Sequence, residues 1–184
     1  MIYLVKKMSF KNDLDFGNSV QEKLIAFLEK YWSLEFVAGD RNGITVNPKK
    51  IEEVFKCKYV PVENYVHGAR LRFIDYNNKE EVEVVMPDEL FIHKKTGSYV
   101  WVESKGRRNN EIYEKKSKID DYRRVQDFSG SKVYIMFAVQ IFGTDCFDIY
   151  SSPVGKVVDT VIKNGVEYCV YNQDDMKKLN KYPV

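Results

Sequence analysis

Apolar and polar positions along the chain follow three kinds of pattern. From 20 to 32, Val20, Leu24, Phe27, Leu28 and Tyr31 recur at helical steps, predicting a helix with one buried stripe. Ser19 followed three residues later by Glu22 has capping-box spacing, so the helix is expected to start there. Residues 1–7 read as a short edge strand or a disordered start. Residues 34–47 keep no single period and contain a turn at 39–43, Pro48 opens a short helix over 48–58, and residues 60–64 connect onward. Period-two segments follow at 69–76, 81–86, 90–93 and 99–105, with a turn at 77–79, and predict a consecutive antiparallel meander.

The second half changes character. Ile112, Ile119, Tyr122, Val125 and Phe128 form a partial stripe on a charged helix over 111–128, stopped by Ser129-Gly130-Ser131. The run KVYIMFAVQIF at 132–142 is apolar without alternation and suits a strand covered on both faces. A strand at 147–150, a helix at 154–163, a strand at 166–171 and a terminal helix at 174–180 complete the expectation. This is an α/β pattern, with nothing that divides residues 1–184 into more than a single domain.

Composition narrows the function. The chain has 184 residues, 44% hydrophobic and 30% charged, with net charge +2. That is long enough to bury a core, and the charge neither demands nor excludes a nucleic-acid partner. Cys57, Cys146 and Cys169 are odd in number and far apart, which fits a reducing compartment and argues against structural zinc. No apolar run reaches membrane-spanning length and the start lacks a signal-peptide pattern, so a cytoplasmic protein with no membrane association is expected. His67 and His93 are not at metal-ligand spacing. Phosphate-binding glycine loops and nucleophile-elbow motifs are absent, which disfavours nucleotide and acyl-transfer chemistry.

One stretch carries chemistry. In 98–105 the strand pleat puts Tyr99, Trp101, Glu103 and Lys105 on one face, Glu103 and Lys105 about 7 Å apart. A carboxylate and an ammonium ending an apolar strand must be paired or bind an ion if they are buried. Asp88 follows Pro87 on the preceding segment and can meet them across a hairpin. Otherwise Glu103 and Lys105 are a surface pair on an edge strand and Pro87-Asp88 is a turn. Two similar triplets, Glu114-Lys115-Lys116 and Asp175-Met176-Lys177, fall in helical stretches and read as solvated faces.

Pro87-Asp88 and Glu103-Ser104-Lys105, with about fourteen residues between the acids, resemble the PD-(D/E)XK nuclease superfamily over residues 81–142. The resemblance implies a restriction-endonuclease-like core: a mixed central sheet flanked by helices in the order αβββαβ, with extra elements at the C-terminus. It implies a metal-dependent nuclease acting on phosphodiester bonds, most often a DNA endonuclease, sometimes a homodimer. Asp88 and Glu103 would hold Mg²⁺ or Mn²⁺, with the Ser104 carbonyl as a third ligand, and Lys105 would align the attacking water. Glu22 is the candidate for the glutamate many relatives carry on their first helix, although it also reads as capping its own helix. Gly17 ahead of it resembles the entry of archaeal Holliday-junction resolvases, one residue too far away. Arg107, Arg108, Lys115 and Gln126 are the candidates for holding nucleic acid, with Tyr122 sharing the face of Gln126; a solvated amide and a packing tyrosine are the alternative. A non-catalytic nucleic-acid-binding or interaction module on the same fold is the competing reading.

Overall fold

The apolar run after Gly130 becomes a strand with five consecutive buried residues, and the rest of the chain is laid around it. The computed structural model describes residues 2–37, 48–60, 70–107, 112–141 and 146–182. In chain order these form α1 (Ile2–Leu28), β1 (Trp32–Val37), α2 (Pro48–Phe55), β2 (Cys57–Val60), β3 (Arg70–Asp75), β4 (Glu81–Val85), β5 (Glu89–His93) and β6 (Tyr99–Arg107). Then come β7 (Tyr113–Lys115), α3 (Lys116–Ser129), β8 (Lys132–Gln140), β9 (Phe147–Pro153), β10 (Asp159–Lys163), β11 (Val166–Val170), a 3-10 turn (Gln173–Asp175) and β12 (Lys177–Tyr182).

The central sheet has the order β1-β5-β6-β8-β9-β12. Its pairs are antiparallel except β6 with β8, which run parallel. A parallel pair needs a crossover, and α3 supplies it. Its stop is the expected one: Gly130 closes α3 in the left-handed region at φ 64. The series α1, β1, β5, β6, α3, β8 is the αβββαβ core in a mixed α/β fold, with α2 and β2–β4 inserted after the first strand. Two three-stranded sheets, β2-β3-β4 and β10-β11-β7, flank it.

Pleating divides β6 between two cores. Trp101 packs with Ile119, Tyr122 and Val125 of α3, with Ile135 and Phe137, and with Phe73 and Val84 of the β2–β4 sheet. Val100 and Val102 pack on the opposite face with Val20 and Leu24 of α1, with Phe91, and with Met136 and Ala138. Cys57, Cys146 and Cys169 lie outside any disulfide. Among the described residues no helix is long and apolar enough to cross a membrane.

Several expectations are corrected. The first helix starts at Ile2 and ends at Leu28. Ser19 and Gly17 therefore lie inside it, so Ser19 caps nothing and Gly17 is no loop entry. Trp32 opens β1, which the mixed pattern of 34–47 concealed. The four-strand meander does not form: β3 and β4 pair in a separate sheet, and β5 takes β1 as its partner. Proline has no N–H to donate, and at Pro87 the chain leaves one sheet for the other. The helix expected at 154–163 is instead β10, joined to β11 by Asn164 and Gly165 with φ of 51 and 75, a backbone suited to tight hairpins. The β-branched Val157, Val158, Thr160, Val161 and Ile162 favour that outcome. Residues 174–180 hold the 3-10 turn and part of β12 rather than a helix, and α3 starts five residues late because β7 precedes it. The turn at 39–43, His67 and residues 108–110 lie outside the described residues.

Gly106 is where α1 crosses β6. A Cβ there would stand 2.7 Å from Phe16 Cε1 and 3.0 Å from Val20 Cγ2. Gly106→Ala is therefore expected to destabilise the protein by about 1–3 kcal/mol through forced displacement of α1. The urea unfolding midpoint measures this; an unchanged midpoint would show that α1 is not tightly seated.

Candidate active site

The β5–β6 ladder stops at Glu89 opposite Val102. Beyond it β6 continues through Glu103–Arg107, paired on its other side with β8. Two carboxylates take over where the ladder ends. The Ser104 N–H donates to Asp88 Oδ2 at 3.1 Å, and the Asp88 N–H donates to Glu103 Oε2 at 3.2 Å. Each acid thus satisfies a main-chain donor of the other strand, and the two segments are stitched at the point where they part.

The pleat sorts the side chains. Asp88, Glu103 and Lys105 fall on the α3 face, while Glu89 and Ser104 fall on the α1 face. On the α3 face Glu103 is fully buried and ion-paired with Lys105, and Lys118 Nζ of α3 lies 3.5 Å from the same oxygen. Lys105 also meets Glu114 of β7 at 3.3 Å. Glu103 Oε1 and the Tyr122 hydroxyl are buried, and neither makes a well-formed hydrogen bond among the described residues.

Burial penalises each of these charges, and the outcome depends on the neighbours. For Glu103, burial alone would raise the pKa, but Lys105 and Lys118 outweigh it and hold the carboxyl below its ordinary value. For Lys105, burial pushes down and is outweighed by Glu103, Asp88 and Glu114, so the ammonium stays charged. Asp88 is the group left over. Burial, then the Glu103 charge, pushes it up to about 7 against the pull of Lys105, Lys118 and the Ser104 N–H. Burial, with Glu103 and Asp88 beside it, holds the Tyr122 phenol well above its usual range.

On the α1 face Glu89 is also fully buried. It accepts from Gln21 Nε2 at 2.7 Å and from Ser104 Oγ at 3.0 Å. Burial and the nearby Asp88 charge keep its pKa well above the carboxylate range despite those two bonds. Ser104 is consequently held from both sides, by its N–H on Asp88 and its hydroxyl on Glu89.

The structure brings Asp88, Glu103, Ser104 and Lys105 together. It does not bring Glu22, which is exposed; its neighbour Gln21 occupies the inward position on α1. It does not bring Gln126, whose Oε1 accepts from the Val133 N–H at 3.3 Å at the start of β8. Arg107 donates to the carbonyls of Gly106 and Tyr113, at 3.2 and 2.7 Å. Lys115 is exposed on β7. Glu114, expected on a solvated helical face, is instead a buried strand residue with a role in the cluster. Gln21, Glu89, Glu114 and Lys118 were not legible as site residues. The usable signal was the four-residue step from Lys118 to Tyr122, which puts both on one face of α3.

Among the described residues no three His, Cys, Asp or Glu side chains form a ready-made metal cage. The donors nonetheless suit a hard cation. Each carboxylate keeps lone pairs beyond the N–H it accepts. Asp88 and Glu103 present oxygens side by side in a largely buried place, where Glu103 Oε1 already faces the ammonium groups of Lys105 and Lys118. Mg²⁺ commonly binds through one or two carboxylates and keeps several waters, so it does not require a closed cage.

No family model matches the chain, and no curated protein matches it. Among solved structures it is similar to Hjc, a Holliday junction resolvase from the archaeal hyperthermophile Archaeoglobus fulgidus. The identity is 11%, 71% of this chain and 86% of that chain are covered, and the TM-score is 0.40.

Lys105 is the main counter-charge in this interior. Lys105→Met is expected to cost about 3–5 kcal/mol, because it strands Glu103 and Glu114. Adding Glu103→Gln should return part of that loss. A double-mutant cycle by urea unfolding in a chelator measures the coupling, and strictly additive losses would show that the two residues do not interact.

Proposed function

We propose that this protein is a divalent-metal-dependent nuclease that hydrolyses phosphodiester bonds, with DNA as substrate and endonucleolytic cleavage as its mode. The supporting observation is the meeting of Asp88, Glu103 and Lys105 on one face where β5 leaves β6. There Asp88, Glu103 and Glu114 meet Lys105 and Lys118, three acids against two cations, in a largely buried cluster.

In this reading Asp88 and Glu103 hold Mg²⁺ or Mn²⁺, with the Ser104 carbonyl as the third protein ligand. The ion, when bound, lowers the pKa of a water and offsets charge on the phosphate. The chain's own residues do the positioning. Ser104 fixes the Asp88 carboxylate through its N–H and is itself fixed by Glu89 and Gln21. Lys105, kept protonated by three acids, stands where it can orient the water and oppose negative charge building on the phosphoryl oxygens. Lys118, partly exposed on α3, adds a second cation on the same side. Arg107, Arg108 and Lys115 hold the phosphate backbone, contacts that position a strand without reading its sequence.

The test uses the full chain with supercoiled plasmid, single-stranded DNA and branched DNA, in Mg²⁺ or Mn²⁺ against a chelator control. Cleavage in the presence of metal is expected, and Asp88→Asn, Glu103→Gln and Lys105→Met should each slow it by about a hundredfold or more while circular dichroism shows the fold retained. Binding without cleavage of any of these substrates would favour the non-catalytic module, and cleavage that survives all three substitutions would place the chemistry elsewhere.

A further inference from the structure

The small sheet β10-β11-β7 has two faces of different chemistry. Glu114 and Cys169 are cross-strand partners and point inward, Glu114 to Lys105. The alternate positions point outward: Tyr113 and Lys115 of β7, Tyr168 of β11, Val161 and Lys163 of β10. Tyr113 and Tyr168 are half-buried and meet edge to face with centroids 5.2 Å apart. Lys163 Nζ lies 4.0 Å from the centre of the Tyr113 ring, and the Arg107 guanidinium carbon lies 5.6 Å from it. Lys115 stands directly opposite Tyr168 and is exposed. Among the described residues the acid on this outer face is Asp159, at the end of β10 far from the turn.

We propose that this outer face binds an unpaired nucleic-acid segment and leads it toward the carboxylate cluster. Aromatic rings set among cations on a sheet surface suit single strands, since every base has a π-face and every linkage a phosphate. Paired bases are stacked on each other and cannot lie on these tyrosines. Charge complementarity supports this occupant: Lys115 and Lys163 outnumber Asp159, and the exposed Glu167, on the Cys169 side of β11, is paired with Lys116 at 3.0 Å. The face is also continuous with the cluster. Arg107 is two residues past Lys105 on β6 and donates to the Tyr113 carbonyl, and Glu114 between Tyr113 and Lys115 is ion-paired with Lys105. The substrate class is therefore nucleic acid with an unpaired segment beside the scissile linkage, such as a flap or a splayed end. This rests on the nuclease reading for what the strand is delivered to.

Binding is read apart from cleavage, by fluorescence anisotropy of labelled oligo(dT), oligo(U) and a blunt duplex with the full chain in a chelator. The expected result is single strands bound more tightly than the duplex. Tyr113→Leu and Tyr168→Leu, which keep apolar bulk but remove the ring, should each weaken single-strand binding about tenfold. Lys163→Ala should lower the slope of log affinity against log salt by about 0.7. Tyr76→Ala is the control, because Tyr76 carries a similar lysine contact at 5.4 Å on the turn between β3 and β4, away from the cluster. Melting temperatures verify that each variant is folded. Equal affinity for duplex and single strand, unchanged affinity in the Tyr113 and Tyr168 variants, or equal loss in Tyr76→Ala would each overturn the proposal. A chain that shows the expected binding and never cleaves would sink the nuclease reading and leave this one standing.

Discussion

Two hydrogen bonds across a broken ladder set the rest of this molecule. Ahead of the first residue of β5, β6 still has main-chain donors that must find partners, because a buried N–H left alone costs about as much as a lost hydrogen bond. Water or another strand would ordinarily supply the acceptor. Here the acceptors are side chains, Asp88 for the Ser104 N–H, with Glu103 returning the same service to the Asp88 N–H. The sheet obtains its closure from two acids, and the acids obtain fixed positions that no flexible loop would give them.

That solution creates an electrostatic problem, and the surrounding elements are arranged around it. Glu103 cannot be buried alone, so β6 provides Lys105 two residues on and α3 provides Lys118. Lys105 in turn draws in Glu114, so the positive charge is shared among more acids than it can neutralise. Burial first, and the neighbouring carboxylate second, hold Asp88 and Glu89 above the ordinary carboxylate range. Buried ion pairs are weak sources of stability, because desolvation consumes most of the Coulombic gain. Stability alone therefore does not account for a core of this kind.

The central pattern was readable for physical reasons. Glu103-Ser104-Lys105 ends an apolar alternating strand, and alternation fixes which side chains share a face wherever the strand lies. The run 132–142 announced its burial by lacking alternation, and Gly130 announced the end of α3. What failed was pairing and extent. Nothing local to Leu90 or Ile92 says that their partner is β1, more than fifty residues earlier, rather than β4 beside them. The capping-box spacing at Ser19 and Glu22 is also found inside a long helix, so it could not reveal that α1 begins at Ile2. Glu22 was a candidate because the resemblance implies a glutamate on the first helix; α1 instead presents the Gln21 amide, which can donate to a carboxyl where a second acid would repel it. Asn164-Gly165 was a hairpin signal within an apolar stretch, and it outweighed the helical reading of 154–163.

The two faces of β6 are not independent, and Ser104 is the reason. Its N–H reaches Asp88 on the α3 side and its hydroxyl reaches Glu89 on the α1 side, where Gln21 completes the bond. A displacement of α1 is therefore felt at the carboxylates along the hydrogen-bonded path Gln21–Glu89–Ser104–Asp88 as well as through packing contacts. Gly106 lets α1 come close enough for this, since any side chain there would push Phe16 and Val20 away. The small residue and the half-buried amide thus serve the same end from opposite requirements, one by leaving space and the other by filling it with a donor. The cluster is held by a helix from one side and by β7 and α3 from the other, so its geometry depends on both cores of the molecule.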